Sequence, residues 1–346
     1  MANRQAATRK VRATGYWGIA FFCILMVLTE PHQHPRQELK IALLSSTADE
    51  DYFGAMELKR RVEDDSDGTL GVKIYPSGQY CASARECIDY MQSGAVDIFM
   101  TTFAGLAIIY PAAQVLDLPY LFSSDQQAEC VLDGPISESL GAATIEQTGL
   151  RLMAIGNTGG WRNFATTNRP VRRADDIAQL KIRTSEAPIQ QEIVRRLGGT
   201  PTPIAWSELY AALTTGVVQG TKNSIQDIVS MRFNEQIKHV VLDHHSYMGA
   251  LWWISDEKWL SLTDTQRAAV MSGFEALKEL TRRMTKESAE SGYTEFELSG
   301  GSVHYPSFEE RKTFVDATAG MRDWYAERYG REWLLLIDDA LNRCPS

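Results

Sequence analysis

Arg183, Trp206 and Asn223 are the residues of this chain whose types and spacing suggest chemistry. Arg183 closes a short alternating segment, Lys181-Ile182-Arg183-Thr184. Its guanidinium is a planar fork that meets a carboxylate with two parallel, charge-assisted hydrogen bonds. Downstream, Gly198 to Asn223 reads as a Pro-rich entry, Trp206-Ser207-Glu208-Leu209-Tyr210, a short helix, Gly216-Val217-Val218-Gln219-Gly220 and then Asn223. The Trp206 face suits a sugar ring or an aromatic acid, and the Asn223 amide can donate and accept. An Arg, an aromatic and an Asn at strand ends make a pocket for a small carboxylate. The plainer readings are a surface arginine and a core tryptophan. His244-His245 suggests a metal, but adjacent strand residues point apart, so no metal site is expected. Phosphate-loop, dinucleotide, zinc-protease and nucleophile-elbow motifs are missing from the sequence, which favours binding over catalysis.

These residues need a scaffold, and 346 residues are enough for two lobes with their own cores. A net charge of −9 argues against a nucleic-acid surface. Residues 1–38 differ from the rest: Arg4, Arg9, Lys10 and Arg12 precede an uncharged apolar run from Thr14 to Thr29. That is the layout of an export signal, with an uncleaved anchor as the alternative. The large Phe22 before Cys23 argues against a lipid anchor. Without residues 1–38, which hold five basic and two acidic side chains, the charge becomes −12. The exported part has Cys81, Cys87, Cys130 and Cys344. They permit one or two disulfides in an oxidising compartment, with Cys81–Cys87 attractive if Cys81 just precedes a helix, or else are ordinary buried cysteines.

Strand–helix alternation predicts a mainly parallel sheet covered by helices. Strands are expected at Leu39–Leu44, Val72–Tyr75, Val96–Thr101, Leu152–Asn157, Lys181–Thr184, Val217–Val218 and Leu251–Ser255. Helices are expected over Tyr52–Glu63, from a Ser83/Glu86 capping box to Gln92, over Ile189–Leu197 and Ser207–Thr214, and in long stretches after Thr263. Asp49 to Asp51 suit a helix N-terminus.

Set in order, these segments resemble the DctP-type solute-binding proteins of tripartite ATP-independent periplasmic (TRAP) transporters. The resemblance rests on Tyr75-Pro76-Ser77-Gly78-Gln79, Gly94-Ala95-Val96-Asp97, Val115-Leu116-Asp117-Leu118-Pro119-Tyr120-Leu121-Phe122, Leu180-Lys181-Ile182-Arg183, Trp206-Ser207-Glu208-Leu209-Tyr210, and Gly216-Val217-Val218-Gln219-Gly220 with Asn223. It implies an α/β, two-lobe periplasmic binding protein, a type II-like clam-shell with long hinge-crossing helices. Lobe I would take 39–159 plus 249–288, and lobe II 160–248 plus 289–346.

The resemblance also implies the site. Arg183 matches the family's carboxylate clamp, and Arg162, after Gly159-Gly160, matches a second arginine that supports the same carboxylate or forms an inter-lobe ion pair. Asn223 and Trp206 match ligand-facing positions. Thr102 stands at a strand end of lobe I, where ligands of open α/β sheets bind; being neutral, it disfavours sialate. Ser46, with Ser45 and Thr47, would add hydroxyls. Glu208 and Tyr210 are expected to hold helix and hinge. The chain departs from the family at Gln219 and Lys222, which replace acidic residues; Lys222 is expected to point to solvent, or else to favour a second anionic group. The implied function is an extracytoplasmic receptor, monomeric and without cofactor, that delivers an organic acid, a sugar or hydroxy acid above all, to TRAP membrane subunits. The alternatives are a receptor feeding a membrane sensor and a periplasmic enzyme acting on an organic acid.

Overall fold

The computed structural model describes residues 37–345. The expected export signal lies outside the described residues, except that Gln37 and Glu38 already belong to the first strand, β1 (Gln37–Ala42). The chain continues through α1 (Glu50–Asp65), β2 (Leu70–Tyr75), α2 (Ala84–Gln92), β3 (Ile98–Thr102) and α3 (Phe103–Leu106). After a 3-10 turn over Pro111–Asp117 come α4 (Asp125–Leu132), α5 (Pro135–Thr148) and β4 (Leu150–Thr166). Then follow β5 (Lys181–Thr184), α6 (Pro188–Arg196), β6 (Thr200–Pro203), α7 (Leu209–Thr214), β7 (Gly220–Asn223) and α8 (Ile225–Ser230). The last part is β8 (His239–Ser255), α9 (Asp256–Ser261), α10 (Asp264–Leu298), β9 (Ser302–His304), α11 (Phe308–Thr318), α12 (Met321–Tyr329) and α13 (Glu332–Arg343).

Local chemistry sets these boundaries. Ser83 caps α2 by accepting from Glu86 N at 3.2 Å. The Glu86 carboxylate returns to Ala82 N at 2.7 Å, one residue earlier than a full capping box requires. Thr263 and Gln266 complete the reciprocal box that starts α10. Asp49 accepts from Asp51 N at 3.2 Å and caps α1.

One nine-stranded sheet runs in the order β2-β1-β3-β8-β4-β7-β5-β6, with β9 beside β8. It is mixed, where the alternation predicts a mainly parallel one: β2-β1-β3 and β6-β5-β7 are parallel, but both groups pair antiparallel to the central ribbon of β4 and β8. The predicted strands Leu152–Asn157 and Leu251–Ser255 are fragments of this ribbon, whose strands are each 17 residues long. Val217–Val218 is not a strand: Gly216 turns the chain at φ 71°, Val218 N still bonds Ala212 O, and sheet pairing starts at Gly220.

The ribbon belongs to both lobes. At its centre the register slips between Asn157 and Trp161 and again between Arg162 and Phe164. Such bulges free backbone groups that a buried sheet must satisfy. Side chains do so: Asn157 Oδ1 accepts from Gly160 N at 2.7 Å, Asp243 Oδ1 from Phe164 N at 3.1 Å, and Asn163 Oδ1 from His244 N at 3.1 Å. Gly159 is required here: its φ is 87°, and an added Cβ would lie 2.1 Å from Ser224 Oγ.

Successive β8 residues face opposite cores. Trp252 joins Leu39, Leu58 and Phe274 beneath α1 and α10; Trp253 joins Phe99, Tyr325 and Ile337 beneath the C-terminal helices. A third cluster, with Phe233, Leu209 and Phe296, fills the second lobe. The 35-residue α10 is about 50 Å long. It packs on α1 and β4 at one end and on α8 and β9 at the other. The C-terminal helices also bridge: α11 rests on α6, and α13 on α4 and α5.

Two disulfides join Cys81 to Cys87 and Cys130 to Cys344, with Cα separations of 5.2 and 5.8 Å. Constraint of the unfolded chain grows with loop length. The paired Cys130→Ser and Cys344→Ser substitutions, which open a 214-residue separation, are expected to lower the unfolding free energy in urea by about 2–4 kcal/mol. Cys81→Ser with Cys87→Ser, spanning six residues, should cost less; equal losses would rule out loop closure as the source.

Candidate functional site

A cavity of about 160 Å³ lies where the ribbon passes between the lobes. The second lobe supplies Arg183 from the end of β5, Trp206, Lys222 and Asn223 on β7, and Asp227 on α8; Arg162 comes from the β4 bulge. The first lobe supplies Ser45, Thr101, Thr102 and an apolar floor including Leu43 and Phe99, and Met248 on β8 joins that floor. Two polar contacts cross the cleft mouth: Arg85 with Glu186 at 3.1 Å, and Ser207 Oγ donating to Ala82 O at 3.0 Å.

Arg183 is 8% exposed and is no surface arginine. Its Nε donates to Ile204 O at 3.0 Å, and its guanidinium lies 5.6 Å from the Trp206 ring centre. The terminal nitrogens make no hydrogen bond with a described residue. Burial, then the neighbouring Arg162, push its pKa down to about 10, against the pull of Asp227. Arg162 is buried too; it donates from Nη1 to Lys222 O at 3.1 Å, and its Nε has no partner. Neither arginine has a carboxylate within ion-pair distance among the described residues, so the inter-lobe ion pair considered for Arg162 is not formed.

Asn223 is braced rather than free. Its Oδ1 accepts from Thr221 Oγ1 at 2.6 Å and its Nδ2 donates to Asp227 Oδ2 at 2.9 Å. Trp206 is half-buried, edge-on to Phe233, with its ring turned to Arg183. The Thr102 hydroxyl caps α3 by accepting from Gly105 N at 3.2 Å and still reaches the cavity. Ser46 does not line the cavity; Ser45 does, donating to Asp51 Oδ2 at 2.9 Å. Gln219 is exposed and accepts from Lys181 N at 3.1 Å, away from the cavity. Tyr210 bonds Glu235 outside it.

Lys222 corrects an expectation. It does not point to solvent: it is 3% exposed and lines the cavity. All four residues of β7 are buried, so the strand is covered on both faces. A solvated lysine has no place in it. Asp227 was likewise missed, although its position four residues beyond Asn223 puts it within hydrogen-bond reach.

The two histidines turn apart. His244, with φ 49°, faces the Trp161 ring; His245 packs 4.7 Å from Phe164 and pairs with Asp243 at 2.8 Å. Among the described residues no cluster of His, Cys, Asp and Glu could hold a metal ion, and no helix is long and apolar enough to cross a membrane.

Behind the cavity, at the start of α1, Asp49, Glu50 and Asp51 are buried. Asp51 Oδ2 accepts from Ser45 and from Thr158 at 3.0 Å, while its Oδ1 has no partner. Burial pushes Asp51 up to about 7; the two hydroxyls oppose the shift and Asp227 adds to it. Asp49 and Glu50 are raised as well, first by burial and then by neighbouring carboxylates.

An α/β protein of two lobes on a shared ribbon, with unpaired guanidinium groups facing the cleft, defines a solute-binding protein. The chain belongs to the bacterial extracellular solute-binding proteins, family 7, whose model matches residues 44–328. It is 26% identical over 306 residues to the 2,3-diketo-L-gulonate-binding periplasmic protein YiaO of Escherichia coli, covering 88% of this chain and 92% of that one. It is 26% identical to the C4-dicarboxylate-binding periplasmic protein DctP of Rhodobacter capsulatus, covering 83% and 86%. The crystal structure of a TRAP periplasmic solute-binding protein from Polaromonas sp. JS666 bound to D-erythronate superimposes with a TM-score of 0.82 at 26% identity, covering 87% of this chain and 98% of that one.

A carboxyl group held at a raised pKa keeps its proton in the folded state where the unfolded chain has released it. Stability from Asp51 therefore falls as pH rises from about 4 to 7. Asp51→Asn is expected to flatten this part of the dependence of unfolding free energy on pH, followed by urea titration. An unchanged slope would place the proton elsewhere.

Proposed function

We propose that the protein is an extracytoplasmic receptor that grips the carboxylate of an organic acid between its lobes and hands it to TRAP membrane subunits. The observation that carries this reading is the pair of buried, carboxylate-free guanidinium groups of Arg183 and Arg162. Buried charges are normally paired, and an unpaired fork is complementary to a ligand carboxylate. The polar contacts across the mouth support closure around the ligand by hinge motion of the lobes, which we assign to 39–159 plus 249–288 and 160–248 plus 289–346.

Sugar and hydroxy acids fit best. Trp206 offers a flat face, Ser45 and Thr102 offer hydroxyls, and the similar proteins are named for a diketo sugar acid and a C4-dicarboxylate or carry D-erythronate. The protein acts as a monomer in the periplasm and releases its ligand unchanged.

A thermal-shift screen over uronates, aldonates, dicarboxylates, 2-oxo acids and aromatic acids finds the ligand, since saturation at a hundred times Kd stabilises by about 2.7 kcal/mol. With a hit in hand, Arg183→Ala is expected to weaken binding by about 3–5 kcal/mol in calorimetry, beyond a hundredfold in Kd. Arg183→Lys should recover little, because an ammonium lacks the fork. Near-wild-type affinity of Arg183→Ala would sink the clamp.

A further inference from the structure

We propose that Lys222 reads a second anionic group of the ligand, so that the solute of this cleft is a dianion, a hydroxylated dicarboxylic acid. The inference rests on the reading of the cleft as an organic-acid site and narrows it.

Lys222 lines the same cavity as Arg162 and Arg183. Its ammonium makes no hydrogen bond or ion pair with any described residue, although it carries three donors and is buried. The two carboxylates on its protein side are already engaged. Asp117 accepts from Gln190 Nε2, and from Ser246 Oγ at 2.7 Å. Asp243 accepts from Phe164 N at 3.1 Å, Tyr120 OH at 3.2 Å and His245 Nδ1 at 2.8 Å. They attract the lysine from a distance without pairing with it. Burial, then Arg162 and Arg183, hold its pKa well below the usual lysine range, with Asp117 and Asp243 opposing. In turn Lys222 helps to lower the pKa of buried His245.

Counting charge identifies what is missing. Three basic side chains, Arg162, Arg183 and Lys222, line the cavity against one acidic side chain from the same lobe, Asp227, which burial itself pushes toward its neutral form; Arg85 and Glu186 at the mouth neutralise each other. A monocarboxylate leaves positive charge in excess in a closed, low-dielectric site, and a dicarboxylate balances it. An uncompensated buried charge is among the costliest features a protein can carry, so the ligand that supplies the second negative charge is favoured over its singly charged analogue. The Ser45 and Thr102 hydroxyls of the opposite wall address the neutral part of such a molecule.

Matched pairs of acids test this: galactarate against galactonate, and malate against 3-hydroxybutyrate, by calorimetry on the full exported chain. The wild type is expected to prefer the dicarboxylate of a pair by about tenfold or more. In Lys222→Met and Lys222→Gln that ratio should fall to about one, with folding checked by circular dichroism. At a pH where the buried Lys222 has lost its proton in the free protein, dicarboxylate binding to the wild type should take up a proton, seen as heat that varies with the buffer across a pH series below the ordinary lysine range, and Lys222→Met should abolish the uptake. Lys222→Met should also raise the unfolding temperature of the ligand-free protein, since it removes a buried amino group that has no partner. Binding of monocarboxylates alone, or a preference that survives in both variants, overturns the inference and leaves the organic-acid reading standing. Failure of the wild type to bind any acid, here or in the wider screen, overturns both.

Discussion

The antiparallel ribbon of β4 and β8 is the constraint on which the rest depends. Each strand is long enough to serve as an inner strand of both lobes, so neither lobe's sheet is complete without it. A straight ribbon of that length would hold the lobes in one plane. The register slips at Asn157/Trp161 and Arg162/Phe164 break it at the boundary, and the freed amides are taken up by Asn157, Asn163 and Asp243. The irregularity that lets the sheet serve two lobes also places Arg162 in the cleft. Fold and site are set by the same few residues.

The charges about this ribbon are sorted by sign. Arg162, Arg183 and Lys222 gather on the side of β7 and β5, where hydrogen bonds to backbone carbonyls hold the arginines in place without neutralising them. Asp49, Glu50 and Asp51 gather at the start of α1, where burial favours their protonated forms. Asp227 stands between, held by Asn223 and attracted by Arg162. In a low-dielectric interior neither set is stabilised by solvent. The cationic set is complementary to an anion, and the acidic set to protons.

Much of this was legible in the sequence, for reasons that can be named. Helix starts were readable because Ser83 and Thr263 bond their own neighbours, and such local chemistry survives any tertiary context. Arg183, Arg162, Asn223 and Trp206 stand in ordered motifs, and the fold brings all four to the wall of one cavity. The mixed character of the sheet was hidden, since pairing direction is a long-range property that strand periodicity does not carry. Nothing local distinguishes the adjacent hydroxyls of Ser45 and Ser46; the fold brings Ser45 to the cavity and not Ser46. Lysine defaults to solvent, and only the fold, which sets Lys222 in a four-residue strand between buried Thr221 and Asn223, turns it inward. Asp51 was read as a helix-end charge, and only the packing of Thr158 and Ser45 around it reveals a buried acid.

The bond between Cys130 and Cys344 has a consequence that is topological. It joins the middle of the chain to its last turn and so closes a covalent ring. The central ribbon, the whole of the second-lobe sheet and the buried basic residues Arg162, Arg183 and Lys222 lie within that ring. A single peptide-bond cleavage anywhere between these two cysteines opens the ring without releasing a fragment. The nicked molecule, heavier only by the water of hydrolysis, keeps its binding residues in one covalent body until the disulfide is reduced.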